Sequence, residues 1–136
     1  MHQDPDLEAL KEDAQRGIPA AAYNLGVWYL REGGDATGQK AARKAFESAA
    51  ESGFAPADSA LGYMYLRGQG VPADPERAVQ LFSRSAEAGF SEARYRLGEL
   101  RSAGLGAPRD LQAAREHFSL AADLGHPSAM TQLAYC

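Results

Sequence analysis

The sequence predicts an all-α fold, a right-handed α-solenoid of antiparallel helix hairpins. Three observations predict it: like residues recur every 36 positions, glycines and prolines punctuate each repeat, and no segment sustains strand alternation.

Gly17, Gly53, Gly89 and Gly125 stand 36 residues apart, as do Ala14, Ala50, Ala86 and Ala122. Leu25, Leu61, Leu97 and Leu133 keep the step, and so do Ala21, Ala57, Ala93 and Ala129. Phe46, Phe82 and Phe118 hold a further register, with Ala42, Ala78 and Ala114 four residues before them. Gly26, Gly62 and Gly98 follow the leucines, and Ala134 takes that place in the last copy.

Each unit reads as two helices. Helix A runs for roughly three turns from Ala20, Pro56, Glu92 or Ser128. Pro19, Pro56 and Pro127 suit its start, where a missing N–H costs nothing. It stops at Gly34, at Gly68 with Gly70, and at Gly104 with Gly106. Helix B starts after Asp74-Pro75-Glu76 or Asp110, whose side chains accept from unpaired N–H groups, and closes at Gly53, Gly89 or Gly125. At about 100° per residue, Ala21, Leu25, Trp28, Tyr29 and Glu32 share the inner side of the first helix A. Ala42, Phe46, Ala49 and Ala50 form the inner stripe of helix B, and Gly26 and its equivalents let the pair close. One hairpin cannot bury both stripes, so each unit leans on its neighbours.

The expected organisation is a single repeat domain, 1–136, with full units 20–53, 56–89 and 92–125 and half units 4–17 and 128–136. The first half unit is a lone helix B that caps the stack, with Glu8, Lys11, Glu12 and Arg16 toward water. The last is a helix A whose Met130 and Leu133 side has nothing over it. Either further chain or a second subunit covers it, which leaves a homo-oligomer through this uncapped C-terminal end open.

Composition narrows the function classes. The 136 residues suffice for one modest core, and the formal charge of −4 comes from interleaved acids and bases. No basic stripe marks a nucleic-acid surface, and no stretch has the roughly 18 apolar residues of a membrane span. One cysteine, Cys136, excludes an intramolecular disulfide. The acidic start lacks a signal-peptide pattern, so the chain reads as soluble and cytoplasmic, or periplasmic if a leader has been removed.

The stretch Ala57, Leu61-Gly62, Tyr65, Gly68-Gln69-Gly70-Val71, Asp74, Ala78, Phe82, Ala86 and Gly89 resembles the Sel-one-like repeat family, a relative of the tetratricopeptide repeats. The 36-residue period and the G-x-G-V turn separate it from the tetratricopeptide unit. The first copy departs with Glu32-Gly33-Gly34-Asp35 at that turn, and the third has Arg101 for tyrosine and Ala107 for valine. The resemblance covers essentially the whole chain. It implies a TPR-like superhelix and a bacterial adaptor or regulator that binds other proteins. Immunity partners of secreted toxins occur among similar proteins, and some members carry disulfides that this chain cannot form.

In such stacks helix A lines the concave face. Opposite Leu25 and Trp28, each helix A carries a tyrosine: Tyr23, Tyr63, Tyr95 and Tyr135. With Val27, Leu30, Arg31, Leu66, Arg67 and Glu99 they form the expected partner-binding face, tyrosine and arginine being enriched where binding energy concentrates. The competing reading is that the tyrosines only pack between A helices.

No catalytic, cofactor or metal site is expected. Gly33 and Gly38 before Gln39-Lys40 miss the spacing of a phosphate loop and lack its Ser or Thr. His2, His117 and His126 share no ligand spacing, and no nucleophile or zinc-protease motif occurs. The expected function is a non-catalytic protein–protein interaction module, a scaffold or regulator taking a protein or peptide on the concave face. An immunity protein that neutralises a secreted toxin is one alternative. Glycan or peptide ligand binding in the groove, with tyrosines against sugar rings, is an alternative of another class.

Overall fold

A computed structural model describes residues 5–33 and 35–134, and the side chains of residues 5, 6, 133 and 134 stand outside the description too. His2, Gly34, Tyr135 and Cys136, each named above from the sequence, therefore lie outside the described residues. The described residues form α1 (Pro5–Gln15), α2 (Pro19–Trp28), a π-helical turn (Tyr29–Gly33), α3 (Ala36–Glu51), α4 (Ala55–Arg67), α5 (Pro75–Glu87), α6 (Ser91–Ala103), α7 (Leu111–Asp123) and α8 (Pro127–Ala134). The chain is an all-α solenoid in which α2 pairs with α3, α4 with α5 and α6 with α7, and each pair packs on the next.

The punctuation works as local chemistry requires. Asp35, Asp74 and Asp110 accept hydrogen bonds from the backbone N–H of Gly38, Arg77 and Ala113 at 3.0, 3.1 and 3.0 Å, capping α3, α5 and α7. Gly68 and Gly104 end α4 and α6 in the left-handed conformation, at φ 70° and 71°. The second glycine of each G-x-G turn has a different task. A Cβ on Gly70 would lie 3.1 Å from the backbone of Gln39 in α3, and one on Gly106 would meet the Pro75 carbonyl of α5. Each turn thus seats its own hairpin against the preceding helix B.

Core positions follow the repeat. Ala42, Phe46, Ala49, Leu61, Met64, Ala78, Phe82, Leu97, Leu100 and Phe118 are all buried. Trp28 and Glu32 depart from the expected inner stripe: Trp28 is half-buried and Glu32 exposed. The first connection also differs from the others. Asp35 lies three residues nearer to Leu25 than Asp74 does to Leu61, so α2 widens into the π turn and α3 takes up the difference with 16 residues against 13 in α5. Gly33 and Gly38 make this possible, for a Cβ on either would stand 2.7 Å from the backbone of the other. The near-match to a phosphate loop is therefore a close backbone crossing.

Toward the C-terminal end, Leu120, Leu124 and Met130 are about half exposed. No helix among the described residues is long and apolar enough to cross a membrane.

Candidate functional site on the helix A face

The site is built from one recurring contact. In each hairpin the phenylalanine of helix B lies directly over the glycine of helix A, Phe46 over Gly26, Phe82 over Gly62 and Phe118 over Gly98. The ladder tyrosines then anchor on those rings: Tyr23 on Phe46, Tyr63 on Phe82 and Tyr95 on Phe118, each with centroids 5.6 Å apart. Tyr23 and Tyr95 occupy the same register, and each also meets the residue that precedes the next helix A. Tyr23 packs on Phe54 at 5.5 Å, and Tyr95 stacks on His126 at 4.6 Å.

In the middle repeat that register holds Ser59, which is small and buried. Tyr63, one turn further on, reaches Phe82 edge-on in its place. A cleft of about 420 Å³ lies beside it between α2 and α4. Tyr23, Val27 and Leu30 form one wall, Ser59, Ala60 and Tyr63 the other, with Phe90 at the base. Arg67 borders it at the C-terminal end of α4 and Glu92 at the N-terminal end of α6. Val27 and Arg31 also line an adjoining cleft against α1, and Leu66 and Glu99 line a third toward α8.

A polar network closes the α6 side. Glu92 accepts from Arg96 Nε at 2.9 Å and from the Tyr63 hydroxyl at 3.3 Å on one oxygen, and meets His126 Nε2 at 2.5 Å on the other. Arg96 also donates to Glu99 at 2.6 Å, with its guanidinium 4.8 Å from the Tyr63 ring and 5.2 Å from that of Tyr95. The Ala129 N–H donates to His126 Nδ1 at 3.3 Å, so His126 caps the start of α8 while its Nε2 proton points to Glu92. Burial alone would raise the Glu92 carboxyl, but the His126 hydrogen bond and Arg96 outweigh it and hold Glu92 below the usual carboxylate range. Burial, helped by the Glu92 charge and opposed by Arg96, pushes the Tyr63 hydroxyl up to about 12, so it remains a neutral donor.

The residues singled out from the sequence separate into groups. Tyr23, Val27, Leu30, Tyr63 and Arg67 come together around the central cleft. Arg31 is exposed one repeat earlier, and Leu66 is half-buried one cleft later. Glu99 is committed to Arg96. Tyr95 departs from the expected contact surface: it is only 8% exposed, covered by His126 and Arg96, and supports the face from beneath. Tyr135 lies outside the described residues. Sequence reasoning missed Glu92, Arg96 and His126 as residues of this site. A signal for His126 was present, since it shares the 36-residue register of Phe54 and Phe90.

Among the described residues no group of three or more His, Cys, Asp or Glu side chains is placed to hold a metal ion. His117 is half-buried with an unpartnered Nδ1, alone at the position that Leu81 fills in the core of the preceding repeat.

Comparison with known proteins matches this architecture. A Sel1 repeat protein from Oxalobacter formigenes is 34% identical, with a TM-score of 0.83 over 96% of this chain and 98% of that one. The protein c5321, a protective antigen of uropathogenic Escherichia coli strains displaying an SLR fold, is 33% identical with a TM-score of 0.85, over 93% of this chain and 27% of that one. Cysteine rich protein B of Helicobacter pylori shares the fold at 22% identity and a TM-score of 0.74, over 93% and 96% of the two chains. No curated protein matches in sequence. Sel1 repeats match residues 19–54, 55–90 and 91–126, and such repeats are in general protein–protein interaction modules without catalysis of their own. The chain belongs to the Sel1 repeat family.

Proposed function

We propose that this protein is a non-catalytic adaptor or regulator in a bacterial cytoplasm that binds a partner protein on its helix A face. The observation that carries the reading is the open cleft between α2 and α4, walled by Val27, Leu30 and Tyr63 and bordered by Arg67. Apolar surface left open beside an arginine and a tyrosine is where interfaces concentrate their binding energy. Glycan binding has less support, because Tyr23 lies against Phe46 and Phe54, and Tyr63 has arginines on it, so neither offers a bare ring face to a sugar. The test is affinity capture from the source cell with the intact protein, with Leu30→Glu/Tyr63→Ala, and with Gln80→Lys on an exposed position of α5. The reading expects a partner held by the intact protein and the α5 variant and lost from the double variant. A partner retained by the double variant refutes it.

A further inference from the structure

We infer that the cleft between α2 and α4 receives one large apolar side chain of an extended partner segment, and that Arg67 binds an acidic side chain close to it in that segment. This rests on the helix A face being the binding face and specifies the chemistry of its occupant. Three features of the site argue for it.

The cleft is lined by Ser59, in the register that Tyr23 and Tyr95 hold in the neighbouring repeats. Its volume, about 420 Å³, is in the range of pockets that take compact apolar groups, and its walls are carbon-rich. Its two ends differ in charge. Glu92 is already matched by Arg96 and His126, so that end asks for no further cation. Arg67 has no ion-pair partner among the described residues and rests on the Tyr63 ring at 5.3 Å. A carboxylate there gains a charge-assisted hydrogen bond without displacing an existing one.

The pattern also repeats along the stack. Arg31, in the register of Arg67 and without an ion-pair partner among the described residues, borders the adjoining cleft, and Val27 belongs to both. In the third repeat that register is Ala103, and Arg96 is neutralised by Glu92 and Glu99. A cleft beside an uncommitted arginine, present twice in sequence order although Asp13 and Asn24 also line the one beside Arg31, fits a chain laid along the face better than one compact molecule.

The experiment selects a phage-displayed library of short random peptides on the full-length protein, then titrates one enriched peptide by fluorescence anisotropy. The expected peptides carry a Leu, Ile, Phe or Trp with Asp or Glu near it. Arg67→Glu should weaken binding about tenfold or more, and reselection on that variant should exchange the acid for Lys or Arg. Ser59→Tyr should abolish binding with helical circular dichroism unchanged, and Val27→Lys gives the same reading if Ser59→Tyr folds poorly. Binding lost with the cleft variants but indifferent to Arg67→Glu, or peptides without an acid, overturns this inference and leaves the helix A face standing. Binding indifferent to the cleft variants as well overturns both. Absence of any enriched peptide overturns the inference, and the capture experiment then decides the wider reading alone.

Discussion

The contact between glycine and phenylalanine within each hairpin makes a graded prediction. A Cβ added to Gly26 would stand 2.5 Å from Phe46 Cε1, and one added to Gly98 would stand 2.6 Å from Phe118 Cε1. At Gly62 the closest approach, to Phe82, is 3.0 Å. Ordinary carbon contact is about 3.5–4.0 Å, so the first two rings must move by about 1 Å and the third by about half that. All three rings are buried and cannot swing into water. Alanine in a helix gains about 1 kcal/mol over glycine, whereas overpacking a core costs about 1–3 kcal/mol. Gly26→Ala and Gly98→Ala should therefore be destabilised by about 1–2 kcal/mol net, and Gly62→Ala should be close to neutral. Thermal unfolding of the three variants beside the unmodified chain reads this directly, at roughly 3–5 °C in Tm per kcal/mol for a chain of this size. Pairing Gly26→Ala with Phe46→Leu should cost less than the two changes summed, because the smaller side chain gives up the contested space. Equal stabilisation of all three alanine variants, as propensity alone dictates, would refute the reasoning.

Other consequences are local. Burial, then Arg94 and Arg101, hold His117 below its ordinary value, so as pH falls through about 6.5 the unfolded chain takes up the proton first and stability declines. His117→Leu, which restores the side chain of the Leu81 register, should add about 1 kcal/mol at neutral pH and flatten the decline between pH 7 and 5, as chemical denaturation at several pH values will show. Asp74→Ala and Asp110→Ala should each cost about 1 kcal/mol, whereas Asp74→Asn and Asp110→Asn should cost much less, measured by thermal unfolding. Gly106→Ala combines a φ of 73° with a collision on the Pro75 carbonyl, so its loss should exceed that of either cap variant in the same assay.

The fold was legible because the repeat advances by a fixed 36 residues and each register has one physical task. Gly26, Gly62 and Gly98 could be assigned to close approach from their place after the core leucines, and the phenylalanines are what they admit. The π turn at Tyr29 was not legible: the phenylalanine register runs on unbroken, so the missing three residues before Asp35 are hidden unless the caps are aligned separately. The candidate site was legible as a face and not as a depth. Angular position put Tyr23, Tyr63 and Tyr95 on one side, but the depth of Tyr23 and Tyr95 is set by the residue just after the glycine that closes the unit. That residue is Phe54 for Tyr23 and His126 for Tyr95. The cleft takes its lining from α2, α4 and the start of α6, which no pattern within one helix joins. The network from Tyr63 through Glu92 to His126 joins residues up to 63 positions apart, beyond any local pattern.

The most direct measurement places a photoreactive phenylalanine analogue in turn at Leu30 and Leu66 on helix A, and at Gln80 and Glu116 on helix B, then irradiates each protein with its captured partner. The account predicts crosslinks from Leu30 and Leu66 and none from Gln80 or Glu116. Crosslinks from the helix B positions with none from Leu30 and Leu66 would contradict it.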